Sequence, residues 1–262
     1  DASQLPQVIE AAIRAAVGLR GVAVVVISGD VALQPAPDRP VAPNAGLLPA
    51  RPRVVPKDKD LNALAELIEK GERVTFLCGR GCAGVHGDLL RLAETLKSPI
   101  VHALGGKEFV EYDNPYDVGM TGLIGFSSGY AAMMSCDVLL MLGTDFPYRQ
   151  FYPGNARIAQ IDLRPENLGR RCKLDLGLVG DVTDTIEALL PKLKPKADRK
   201  HLDACLKHYV EARKDLDALA KPGWRKGGAV HPQHLATVVS ETAAEDAVFT
   251  AAVRTPTIWA AR

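Results

Sequence analysis

Val118-Gly119-Met120-Thr121-Gly122-Leu123-Ile124-Gly125-Phe126-Ser127-Ser128-Gly129 is the stretch on which the reading of this chain turns. Four glycines and four small hydroxylated or sulfur-bearing residues interrupt it, while both flanks carry regular patterns. A backbone without Cβ atoms reaches positive φ and passes close to a ligand with its N–H groups exposed. Ser127 and Ser128 then lead into a helical run, 130–134, so the loop ends at a helix N-terminus, where amides favour phosphate. The segment reads as a cofactor-cradling loop, and a glycine-rich turn between two elements is the alternative.

Outward from the loop the pattern repeats. It gives helix 61–69, strand 74–78, helix 85–96 and strand 100–103 before the loop. After helix 130–134 come strands 138–142, 158–161 and 176–179 and helix 182–190. Strands alternating with helices imply right-handed crossovers and a parallel sheet covered on both faces, an α/β doubly wound, Rossmann-like domain. Ligands of such sheets lie beyond the carboxyl ends of the strands. Those ends here carry residues 79–84, 105–107, 143–149 and 162–164, all glycine-rich, polar or charged.

The flanks read as pieces of two further α/β domains. An amphipathic helix over 5–17 is followed by an apolar β-branched run, 22–27, predicted as a buried strand. Seven prolines fall between 35 and 56, which marks a stiff connector. Beyond a basic, proline-interrupted stretch a long helix spans 202–219. His231-Pro232 opens another helix through 242, and 247–253 reads as a first strand. The resulting division is 1–33, linker 34–60, central domain 61–190, linker and helix 191–230, and a further domain from 231 to 262.

A net charge of +1 gives no electrostatic case for nucleic acid or an anionic membrane. No apolar run approaches the ~20 residues that span a bilayer. Five scattered cysteines, Cys78, Cys82, Cys136, Cys172 and Cys205, suggest reduced thiols and a cytoplasmic setting.

Asp162, at a strand end, is placed to accept hydrogen bonds from ribose hydroxyls, or is a solvated strand-end aspartate. Arg149, Arg164, Arg170 and Arg171 could offer forked donors to a pyrophosphate. Asp181 has the position of a helix cap. Cys78, Cys82 and His86 are spaced by four but share no helical face, so no metal site is expected. His102 and Lys107 flank a strand end as ligand contacts or, preferably, solvated loop residues. No G-x-S-x-G, P-loop or H-E-x-x-H is present.

The run Glu111-Tyr112-Asp113-Asn114-Pro115-Tyr116-Asp117 followed by residues 118–129 resembles the central domain of thiamine-diphosphate enzymes of the pyruvate oxidase type, above all pyruvate dehydrogenase (quinone). Gly143-Thr144-Asp145-Phe146-Pro147-Tyr148-Arg149, Ile161-Asp162-Leu163-Arg164-Pro165 and Val179-Gly180-Asp181 are similar to its further flavin-binding segments. The resemblance runs essentially end to end.

It implies the tail of a pyrimidine-binding domain, a central FAD-binding domain and the start of a pyrophosphate-binding domain. Thr121, Gly122, Leu123 and Ile124 would contact the flavin nucleotide. Thr144, Asp145, Phe146, Pro147 and Tyr148 would form a second wall, and Asp162 and Asp181 further contacts. No residue of this chain is expected to be catalytic. Thiamine diphosphate and Mg2+ belong to the full-length enzyme, whose activating glutamate would precede Asp1 and whose Gly-Asp-Gly segment would follow Arg262. The family has Asp where Ala252 stands and Gly where Arg254 stands, and an arginine there costs φ freedom and room. The resemblance further implies pyruvate and a quinone as partners of the whole enzyme and a homo-oligomer, tetrameric in relatives. Its membrane-docking segment lies at the far C-terminus, outside this chain, with the parent peripheral on the inner face of the cell membrane. An acetolactate synthase-like domain and a non-catalytic nucleotide-binding or structural domain are the alternatives.

Overall fold

The computed structural model describes residues 1–35, 48, 50–223 and 230–262. Two units divide it, Asp1–Arg53 and Val54–Arg262. The first holds helices α1 (Leu5–Gly18) and α2 (Gly29–Ala32). The predicted strand 22–27 does not form: the segment has no ladder partner among the described residues, and Val22, Val24 and Val26 are exposed. A β-branched run becomes a strand only where a neighbour supplies its hydrogen bonds. Part of the proline-rich connector, 36–47 and 49, lies outside the described residues, as do 224–229.

In the second unit six strands form one parallel sheet: β1 (Val74–Cys78), β2 (Ile100–His102), β3 (Asp117–Met120), β4 (Val138–Leu142), β5 (Arg157–Asp162) and β6 (Leu176–Val179). Their order is β3-β2-β1-β4-β5-β6, with every pairing parallel. This is the doubly wound order of dinucleotide folds. The chain leaves β1 toward one edge and β4 toward the other, so a crevice opens between their carboxyl ends.

The alternating pleat of the central strands builds two cores. Phe76, Cys78, Leu140, Leu142 and Ile161 point to one face, and Leu77, Leu139, Met141 and Ile158 to the other. The first face is covered by α3 (Asp58–Glu69), α4 (His86–Leu96) and α7 (Val182–Leu189). Each presents a helical stripe, such as Leu89, Leu92, Ala93 and Leu96 on α4. Full burial of such a leucine contributes about 2 kcal/mol. After a single turn, α5 (Lys107–Val110), the second face is covered by α6 (Ser127–Ser135) and α8 (Lys200–Leu219).

Helices α9 (Pro232–Thr242) and α10 (Thr255–Ala260) pack on each other. The predicted strand 247–253 does not form, and Val248, Phe249 and Val253 are exposed, again with no neighbouring strand among the described residues. Arg254 holds φ −167°, extended backbone open to any residue, so the expected loss of φ freedom does not arise.

Candidate functional site

At the crevice, glycines allow two backbones to meet. Gly79 N–H donates to the Leu142 carbonyl (3.0 Å) and Gly81 N–H to that of Gly143 (2.9 Å). A methyl on Gly143, which holds φ +54°, would stand 2.4 Å from the Gly81 Cα. The loops after β1 and β4 therefore form one rigid floor.

The glycine loop begins inside the sheet. β3 takes its first three residues, 118–120, and its register against β2 shifts between the pairs Ile100–Asp117 and His102–Met120. Three steps on β3 answer two on β2, so the strand carries a bulge, with Gly119 at φ +90°. Asp117 Oδ2 accepts the Gly119 N–H (3.2 Å), and the His102 carbonyl accepts the Thr121 N–H (2.9 Å). Thr121 is buried, and its Oγ1 has no hydrogen-bond partner among the described residues. Leaving such a hydroxyl unpaired costs about 1–3 kcal/mol. Leu123 is exposed and Ile124 half-buried.

The loop after β4 forms the opposing wall. Thr144 is buried, with its carbonyl accepting from Gln160 Nε2 (3.1 Å). Asp145 accepts a fork from Arg171 (Nε 2.8 Å, Nη2 3.0 Å) and a further bond from Arg170 (3.3 Å). These two arginines, expected as pyrophosphate donors, hold Asp145 instead; Arg149 is exposed beside Tyr148. Phe146 is buried among Tyr148, Phe151 and Tyr152, edge to face, and its carbonyl accepts from the Tyr152 hydroxyl (2.7 Å). Pro147 is exposed and Tyr148 half-buried.

The two walls meet at Gly122. At φ +107° its missing Cβ would lie 3.3 Å from the Phe146 ring and 3.6 Å from that of Tyr148. The structure thus brings residues 121–122 and 144–148 together. Asp162, ending β5, accepts from the Arg164 N–H (2.8 Å) and Asn167 Nδ2 (3.2 Å), so its loop already orients both oxygens. Between β3 and β5 lie four strand spacings, roughly 19 Å. Asp181 caps α7 through the Thr183 N–H (3.0 Å), the role its position suggested, and Gly180 N–H donates to the Asp162 carbonyl (3.1 Å).

His102 and Lys107, preferred in the sequence as solvated loop residues, are neither. His102 is completely buried, its Nε2 3.2 Å from Glu111 Oε2 and 3.3 Å from Asp117 Oδ1, and Lys107 pairs with Glu111. Burial pulls the ring toward its neutral form, but the Asp117 and Glu111 carboxylates outweigh this and push its pKa up to about 9. Burial likewise works against the Glu111 carboxylate, and His102 and Lys107 reverse it and bring its pKa to about 2. The three side chains converge within 4.8 Å. With the ring protonated, it and the Lys107 ammonium supply the charge that the two clustered carboxylates require, an ion-pair network. Its sequence signal was an ionisable residue closing an apolar strand, Ile100-Val101-His102, with two acids soon after.

Residues 61–189 match the family model described as thiamine pyrophosphate enzyme, central domain. The chain is 68% identical over 216 residues to an uncharacterized 42.6 kDa protein of the isoamylase 3′ region of Pseudomonas amyloderamosa, covering 82% of this chain and 54% of that protein. It is 33% identical over 265 residues to the putative thiamine pyrophosphate-containing protein YdaP of Bacillus subtilis (strain 168), covering 100% of this chain and 45% of the relative. With the pyruvate oxidase of Lactiplantibacillus plantarum it shares 27% over 254 residues, 95% of this chain and 41% of that enzyme. Acetolactate synthase large subunits are further relatives. The chain spans about half the length of the first of these proteins.

Proposed function

Residues 61–189 belong to the family of thiamine pyrophosphate enzyme central domains, and from that footing we propose that the chain is the FAD-binding part of a thiamine-diphosphate-dependent pyruvate dehydrogenase (quinone). The overall reaction is the oxidative decarboxylation of pyruvate with water to acetate and CO2, with two electrons and two protons passing to a quinone. Thiamine diphosphate supplies decarboxylation of the keto acid and FAD supplies a two-electron carrier.

The observation that carries the reading is the meeting of the two walls at Gly122 beside the unpartnered Thr121 hydroxyl. A cradle that a single methyl would fill, next to a buried hydroxyl in need of a partner, fits a flat polar ligand. In this role Thr121 hydrogen-bonds the nucleotide, and Gly122, Leu123 and Ile124 lay backbone against it. Phe146, Pro147 and Tyr148 exclude water from the opposite side, with Thr144 and Asp145 holding that wall in place. The carboxylate of Asp162, already aimed by Arg164 and Asn167, accepts from ribose hydroxyls, and Asp181 holds α7 beside it. Mg2+ would accompany thiamine diphosphate in the whole protein, a homo-oligomer. No helix among the described residues is long and apolar enough to cross a membrane.

Acetolactate synthase is the second reading, favoured by the 32% identity to the probable large subunit of Methanocaldococcus jannaschii over 161 residues. Assay of the full-length protein with pyruvate separates the two. Quinone reduction coupled to acetate release supports the first, and acetolactate without quinone reduction supports the second.

A further inference from the structure

A buried ionisable network of His102, Asp117, Glu111 and Lys107 sits at the root of the glycine loop. His102 meets that loop in two ways. Its carbonyl accepts the Thr121 N–H, and its ring faces Asp117, whose second oxygen accepts the N–H of the bulged Gly119. The bulge is tightly confined: a methyl on Gly119 would stand 2.8 Å from the Tyr209 ring and 3.0 Å from that of Phe126. Such a bulge re-aims the residues that follow it, and Thr121 and Gly122 come directly after the paired Met120.

We propose that the His102 imidazolium is a positioning residue of the nucleotide cradle: through Asp117 it fixes the bulge at Gly119 and so delivers Thr121 and Gly122 to the opposing wall. A neutral ring would leave Asp117 buried without its counter-charge, and the carboxylate would have to seek water or a proton. Turning toward water withdraws Oδ2 from the Gly119 amide, and a proton on the carboxyl weakens Oδ2 as its acceptor. The ligand rests on the reading above; the coupling of ring to loop stands without it.

Several elements bring charged or titratable groups to the cluster of His102, Asp117 and Glu111. Asp117 comes from β3, Lys107 from α5 and Glu111 from the turn after it, Cys78 from β1, and Tyr209 with Arg213 from α8. Burial holds the Cys78 thiol well above its ordinary range and pushes the Tyr209 phenol up to about 12. Neither therefore changes charge where His102 does.

The test is a pH titration of the chain from 6 to 10.5, following the His102 ring and the 13C shifts of Gly119 and Thr121 by NMR, with Leu139 and Met141 of β4 as reference. Gly119 and Thr121 are expected to move with the midpoint of His102, near pH 9, while β4 stays still. In His102→Gln the transition at both loop residues should vanish. A His102 ring that titrates while Gly119 and Thr121 do not follow overturns the proposal, even if the variant fails to fold. FAD affinity measured over the same range should fall at least ~10-fold across the transition. If the loop follows His102 but FAD binds at no pH, the nucleotide reading fails and the positioning role holds. If FAD binds with the same affinity from pH 7 to 10, the positioning role fails.

Discussion

Gly122 lies so close to Phe146 that a methyl group on it would stand 3.3 Å from the ring, in a backbone held at φ +107°. This contact joins the loop after β3 to the loop after β4 across the ends of β2 and β1. Gly122→Ala should cost about 1–3 kcal/mol through backbone strain. It should also displace Phe146 or Tyr148, visible as a change in the near-ultraviolet dichroism of the aromatic cluster. Unchanged stability and spectrum would mean that the walls are not in contact.

The floor of the crevice makes a sharper demand on glycine. Gly143→Ala would drive a methyl to 2.4 Å from the Gly81 backbone. Gly84 also has positive φ, at +80°, but nothing lies within 4 Å of its missing Cβ. Urea denaturation should therefore show a loss of roughly 2–4 kcal/mol for Gly143→Ala and about 1 kcal/mol for Gly84→Ala. Equal losses would show that strain alone, without close approach, sets the cost.

Much of this architecture was legible in the sequence, and the failures have physical causes. β1 and β4 form where continuous apolar runs predict them, because a strand buried on both faces has no other composition open to it; β6 also forms where expected, as a half-exposed edge strand. β3 was hidden because Asp117 and Gly119 break every strand signal; pairing to β2 and a bulge, neither of them local, make it a strand. The runs at 22–27 and 247–253 fail for the opposite reason, having the composition of strands without a strand partner among the described residues. At the site, the glycines and the Thr144–Tyr148 wall were readable from resemblance and strand-end logic. The burial of His102 was not, since Glu111 and Asp117 reach it only after the chain has turned back on itself.

His102 also ties stability to alkaline pH. Its folded pKa of about 9 lies above the ordinary 6.5 of the free side chain. The stabilisation is therefore complete below about pH 6.5 and is lost as pH rises through 9. The amount is on the order of 3 kcal/mol. Denaturation midpoints of the chain should fall between pH 8 and 10 more steeply than those of His102→Gln. Parallel profiles would contradict the ion pairs.

His201 has the opposite sign. Its Nε2 meets Thr75 Oγ1 at 2.9 Å beneath α8, and burial, helped by Arg73, lowers its pKa to about 4. The stability it confers is present above pH 6.5 and is lost as pH falls toward 4. Replacing His201 with Asn should flatten the acid limb of the stability profile between pH 6.5 and 4. An unchanged limb would show that carboxylates alone govern it.

The most direct test of the central claim is a titration of the chain with FAD, followed by flavin fluorescence. Saturable binding of one FAD per chain is predicted, weakened about 10-fold or more when Thr121→Val removes the buried hydroxyl without changing its volume. A folded chain that takes up no FAD, or a Thr121→Val variant that binds it as tightly as the parent, would contradict the assignment of this cradle to a nucleotide.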